Sequence, residues 1–121
     1  MRGGNKLNHP KFKWGDEFER FLDSLSDKEA AKILSIIDKI EKTDIHTAMR
    51  QEWVKKLESN LYEVRASISS NALRGIYFQR KGNEYFITHG FRKKANKLSR
   101  RELEKGRKLR DNFLSKNERW I

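Results

Sequence analysis

Residues 55–94 read KKLESNLYEVRASISSNALRGIYFQRKGNEYFITHGFRKK, and the architecture follows from this stretch. From Leu61 to Ile68 the side chains alternate. Tyr62, Val64, Ala66 and Ile68 fall to one side, and Glu63, Arg65 and Ser67 to the other. A period of two marks a half-buried strand. Ser69-Ser70-Asn71 is a turn, and Ala72–Arg80, rich in Ile, Tyr and Phe, is the next strand. Lys81-Gly82-Asn83 is a second turn, and Glu84–Phe91 is a third strand. Lys55–Glu58 is the place for a short strand ahead of these three.

Register decides what such a sheet carries. With two-residue turns at Ser69-Ser70 and Gly82-Asn83, counting back sets Arg65 opposite Arg74 and puts His89 on the same face. A loop with an odd number of residues sends at least one of them to the other face.

Upstream, residues 1–14 are polar and glycine-bearing, a flexible tail with room for a short strand around Phe12–Trp14. Residues 15–121 then form one domain by size. Asp16-x-x-Glu19 resembles a capping box, and Phe18, Phe21, Leu22 and Leu25 fall on one helical face. Ser26-Asp27-Lys28-Glu29 is a second capping box. It opens a helix with a stripe of Ala30, Ile33, Ile37 and Ile40, widened by Leu34 and Ile36. The pair predicts an N-terminal helical hairpin packed on a small twisted antiparallel sheet, an α+β fold. Residues 43–53 are ambiguous, with His46 read as a loop residue. Ser99-Arg100-Arg101-Glu102 is a third capping box, and Leu103, Gly106, Leu109 and Phe113 give the C-terminal helix a weak apolar stripe.

Charge is distributed unevenly. Residues 1–54 hold 10 Lys/Arg and 10 Asp/Glu, whereas residues 55–121 hold 18 and 7, so the whole net charge of +11 lies in the second half. Such a one-sided field attracts polyanions. An anionic membrane fits less well, because no basic helix has a broad apolar face. No apolar run approaches the roughly 20 residues of a membrane span, and the N-terminus lacks a signal-peptide core. Cysteine is absent, which removes disulfides and thiolate metal sites and fits the cytoplasm. No metal or other cofactor is expected.

Several segments together resemble the RelE/ParE superfamily of bacterial toxins, and among them the HigB-type, phage-derived branch. They are Glu17-Phe18 with Phe21-Leu22-x-x-Leu25, Val54-Lys55-Lys56-Leu57-Glu58, Asn60-Leu61-Tyr62-Glu63-Val64-Arg65 and Leu73-Arg74-Gly75-Ile76-Tyr77-Phe78. His89-Gly90-Phe91-Arg92-Lys93-Lys94 and the later Glu102-Leu103 complete the set. The resemblance implies a RelE-like toxin that binds the ribosome and cuts mRNA in the decoding site. It also implies a cognate antitoxin, often of helix-turn-helix type, through which alone operator DNA would be bound. ParE-like relatives share the fold and are linked to DNA gyrase, so fold does not establish cleavage. By position, Arg74 matches the arginine that contacts the scissile phosphate, Arg65 the arginine closing the preceding strand, and Arg92 or Lys93 the basic group after the last strand. Two departures leave the general base open. Glu63 stands where well-described RelE members carry lysine, and Ala95, Leu98 and Ser99 replace the usual Thr and Pro.

Metal-free RNA cleavage uses the 2′-hydroxyl as nucleophile, with cations around the phosphorane and a base and an acid at the two oxygens. Arginine suits the cationic role, because it stays charged and grips phosphate with two donors. Arg65 and Arg74 take it here, against the plain reading of two exposed arginines. His89 and Lys93 are the proton-transfer candidates, although a strand histidine bonded within the core is the alternative for His89. Glu63 is either a base or a partner of Arg65. Lys55, Lys56, Arg92, Lys94, Lys97, Arg100 and Arg101 are assigned to RNA phosphates, which give affinity and salt dependence rather than sequence choice. A non-enzymatic polyanion binder and a gyrase-directed toxin are the competing functions.

Overall fold

The computed structural model describes residues 9–94 and 99–118. The chain runs β1 (Lys11–Trp14), α1 (Asp16–Asp23), α2 (Asp27–Glu41), α3 (Ile45–Arg50), β2 (Val54–Glu58), β3 (Leu61–Ile68), β4 (Asn71–Lys81), β5 (Glu84–Lys93) and α4 (Arg100–Glu118). The five strands form one sheet in the order β1-β5-β4-β3-β2. Helices α1 and α2 cover one face and α4 the other.

Two expectations are corrected. The sheet is mixed, because β1 lies parallel to β5, with Lys11 opposite Glu84 and Trp14 opposite Ile87. The last four residues of the expected tail are therefore this strand, while residues 1–8 lie outside the described residues. A helical hairpin at the N-terminus is not what the chain forms: it starts with β1, α1 packs on β5 and β1, and α2 packs on β3, β4 and β1. Each apolar stripe has a larger apolar surface to bury against in the sheet than in the other helix. Phe18, Ile33, Ile37 and Ile40 go under with Val64, Ala66, Leu73, Tyr77 and Ile87. Each of the Phe, Ile, Leu and Val side chains among them contributes about 2 kcal/mol relative to its exposed state. Leu34, expected in the stripe, is instead exposed.

The capping box at Ser26 is present. Glu29 N donates to Ser26 Oγ at 3.2 Å, and Ser26 N donates back to Glu29 Oε1 at 3.0 Å. At α1 the N-cap is Gly15, with no side-chain cap; Glu19 instead accepts from Trp14 Nε1 at 2.7 Å. The ambiguous stretch after α2 contains α3, capped by Asp44, so His46 is helical and exposed.

Glu29 does a second job. Arg92, far along the chain on β5, donates to both of its carboxylate oxygens, and Asn71 Nδ2 donates to Oε2 at 3.0 Å. The start of α2 is thereby tied to the ends of β4 and β5. The guanidinium, together with Ser26, holds the Glu29 pKa down from 4.5 to about 2. A depressed carboxyl pKa stabilises the fold fully above pH 4.5 and loses that contribution as pH falls through about 2. Arg92→Ala is therefore expected to lower the thermal midpoint at neutral pH and to shift acid unfolding to higher pH. Circular dichroism melts across that range test this; parallel curves displaced equally at every pH would contradict it.

Candidate active site

Both hairpins have the two-residue turns counted from sequence. Ile68 pairs with Asn71 and Lys81 with Glu84, and Arg65 stands opposite Arg74. Between β4 and β5 two irregularities intervene: Arg80 is an extra residue on β4 and Thr88 an extra residue on β5. They lie on opposite strands and cancel, so Ile76 still faces His89 and Arg74 faces Phe91. Glu63 faces Ile76 on one side and Lys55 on the other. Lys93, two residues beyond Phe91 and opposite Ala72, shares that face. One surface of the sheet thus gathers Lys55, Glu63, Arg65, Arg74, His89, Phe91 and Lys93.

The centre of this surface is an arginine–glutamate–arginine group. Glu63 Oε2 lies 3.7 Å from Arg65 Nε and 3.8 Å from Arg74 Nε. Both distances suit ion pairs and exceed hydrogen-bond length. Arg74 is 6% exposed, and its Nη1 donates to the Leu73 carbonyl at 3.0 Å and the Ala66 carbonyl at 3.5 Å. Burial pulls its pKa below the ordinary value, Glu63 pushes it back up, and Arg65 pulls it down again. Arg65 is more open, with 29% of its side chain exposed, and also approaches Glu52 at 3.8 Å.

His89 is 2% exposed. Its Nε2 is 3.1 Å from Glu102 Oε1 on α4, and its Nδ1 is 2.8 Å from the Thr88 hydroxyl, which also lies 3.1 Å from the Ile76 carbonyl. Burial lowers its pKa, with Lys105 acting in the same direction and Glu102 against it. The Thr88 hydroxyl donates its one proton to the Ile76 carbonyl and lies against Nδ1, while Nε2 faces the Glu102 carboxylate. The histidine read as a proton-transfer candidate therefore sits beneath α4, both nitrogens engaged. Glu102, read from sequence as a capping residue, is the group that reaches it.

Helix α4 lies over the lower part of the same face. Gly106 lets it approach: a Cβ there would lie 2.8 Å from Ile76 Cγ2. Leu103 and Phe113 pack on Leu61, Ile76 and Phe78. Arg107 donates to both Glu58 oxygens, at 2.8 and 2.7 Å, and Lys105 pairs with Glu17 at 2.9 Å.

The remaining basic residues divide. Lys55 is exposed and Lys93 half-buried on the arginine face, and neither has an ion pair among the described residues. Lys94, Arg100 and Arg101 are exposed beyond β5 and at the start of α4. Lys56 and Arg92 point to the other side of the sheet, Arg92 into its pair with Glu29. Lys97 lies outside the described residues. Tyr77 is fully buried under the N-terminal helices, whereas half-buried Phe91 shares the arginine face. A depression of about 790 Å³, lined by Lys42, Asp44, His46, Arg50, Asn83 and Tyr85, lies near the β4–β5 turn, at the other end of β5 from this group. Among the described residues no cluster of His, Asp and Glu has the makings of a metal site.

The mixed five-stranded sheet, with helices on both faces, is a RelE-like fold. The crystal structure of an archaeal RelE–RelB complex from Pyrococcus horikoshii OT3 matches with a TM-score of 0.50 and 23% identity, over 68% of this chain and 92% of that one. The family described as phage derived protein Gp49-like matches residues 20–111, and the chain belongs to it. Among curated proteins no match is found. No helix among the described residues is long and apolar enough to cross a membrane.

Proposed function

We propose that this chain is the toxin of a toxin–antitoxin pair and acts in the cytoplasm as a ribosome-dependent, metal-independent mRNA endonuclease. The observation that carries the reading is the register, in which Arg65 and Arg74 are cross-strand partners and Lys93, opposite Ala72, lies on the same face of the sheet. A phosphorane passing over that face meets two guanidiniums, which stabilise its developing negative charge. Lys93, half-buried and beside Phe91, is the proton donor to the leaving 5′-oxygen, and Phe91 offers a ring to a flanking base. His89, closed off by Glu102 and Thr88, shapes the floor beneath them. Lys55, Lys94, Arg100 and Arg101 add ribosomal phosphate contacts. The partner is an antitoxin, as the RelE neighbour is seen with RelB, and a helix-turn-helix type would carry operator binding.

One observation favours a second reading, a non-catalytic RNA binder: Arg74 and His89 are both nearly inaccessible. Induction in a bacterial host separates the readings. The endonuclease arrests growth with loss of translated mRNA, and a co-expressed antitoxin from the adjacent gene relieves the arrest. Unimpaired growth favours the binder, and arrest with DNA-damage signalling and intact mRNA points to gyrase.

A further inference from the structure

Arg65 and Arg74 are direct cross-strand partners, and like charges in that position repel. What lets them coexist is Glu63, nine-tenths buried and almost equidistant from the two Nε atoms. The group is unsaturated all the same. Glu63 Oε1, Arg65 Nε and Arg74 Nε are buried without a hydrogen-bond partner among the described residues. Buried polar atoms are almost always satisfied, and the two orphaned Nε–H donors mark a site open to another acceptor, while Glu63 Oε1 lacks a donor. Two guanidiniums against one buried carboxylate also leave the triad one positive charge in excess, faced by the solvent-exposed Glu52 carboxylate 3.8 Å from Arg65. An anion with several acceptor oxygens answers the excess charge and both orphaned donors.

We propose that Glu63 is a positioning residue that occupies the place of the phosphate between Arg65 and Arg74, holding the two guanidiniums at a fixed spacing until the substrate phosphate displaces it. The inference rests on the endonuclease reading for its kinetic part, and on the arginine pair alone for its binding part. It accounts for a glutamate at a strand position where a cation would otherwise add to the site. The carboxylate spaces the pair and is given up when the phosphate arrives.

The test uses the full chain and its Glu63→Gln variant. Inorganic phosphate is titrated while the arginine Nε–H signals are followed by nitrogen-15 NMR, and cleavage on programmed ribosomes is measured in parallel. Phosphate is expected to move the Arg65 and Arg74 signals together, and Glu63→Gln to tighten phosphate binding about tenfold by removing the competing charge. On ribosomes the variant is expected to lower KM while kcat falls about 10-fold to 100-fold, since the guanidiniums lose their spacing. A kcat loss with KM and phosphate affinity unchanged would make Glu63 a general base or a plain structural group and overturn the proposal. Phosphate that leaves both arginine signals unmoved overturns it too. Tighter phosphate binding in a protein that cuts nothing supports the triad and removes the endonuclease reading. If Glu63→Gln does not fold, Glu63→Asp keeps the charge with a shorter reach. Its phosphate affinity should stay near the parent's while kcat drops, and an undiminished kcat would contradict the proposal.

Discussion

Arg74→Ala is expected to reduce ribosome-dependent cleavage by about 10²–10³-fold, the usual cost of removing one preorganised donor to a developing oxyanion. The residue sits at the centre of the site, 3.8 Å from Glu63 and directly opposite Arg65. Its guanidinium is held by two backbone carbonyls, so little reorganisation is needed when a phosphate arrives. The substitution has a second consequence. Glu63 is left buried with Arg65 as its remaining close cation on the sheet, and breaking such a group costs about 3 kcal/mol. Activity must therefore be read from folded protein at a temperature below the variant's own transition. Arg74→Lys separates charge from geometry: it keeps the cation and loses the fork, so activity should remain well below the parent's. Single-turnover rates on ribosomes, normalised to folded protein by near-ultraviolet circular dichroism, give the comparison. Parental rates for Arg74→Ala would remove this residue from the chemistry.

Gly90→Ala is expected to be the most destabilising single-methyl change on the sheet. A Cβ at Gly90 would lie 2.2 Å from Phe21 Cδ2, 2.6 Å from Cε2 and 2.7 Å from Cγ. Because Cγ itself is in the way, the ring cannot swing clear about its own axis; the start of the side chain has to move, and α1 with it. Overpacking of this kind costs about 3 kcal/mol. The effect reaches the site as well, since Gly90 lies between His89 and Phe91 and pairs with Gly75. The measurement is a thermal or urea transition, expected at a clearly lower midpoint. A paired Phe21→Ala substitution, which opens the space, should recover part of the loss. A double variant no better than the sum of the two singles would show that the clash is not the cause.

Much of the site was legible because it depends on periodicity and turn length. Alternation from Leu61 to Ile68 set Arg65 against Arg74 and His89 on their face only if both turns had two residues, a condition that the pairing of Ile68 with Asn71 and of Lys81 with Glu84 meets. The count succeeded for an additional reason that no sequence pattern displays: the extra residues Arg80 and Thr88 fall on opposite strands and offset each other. The partners of His89 were hidden in a different way. Glu102 belongs to a helix 13 residues further on, and its spacing from Ser99 suits a cap as well as a contact to the sheet. Arg92 is the clearest case. Within the run Arg92-Lys93-Lys94 it looks like any other phosphate-binding cation, yet its partner Glu29 lies 63 residues away. The parallel pairing of β1 was invisible for the same reason, since a four-residue strand has too short a period to declare its neighbour.

The most direct test of the central claim adds the purified protein to ribosomes stalled on a defined mRNA, with the same mRNA free in a parallel tube, and maps the products by primer extension. The account predicts cuts on the ribosome-bound message alone, formed in the presence of a chelator and lost with Arg74→Ala. Intact message in both tubes, from protein shown to be folded, would contradict it.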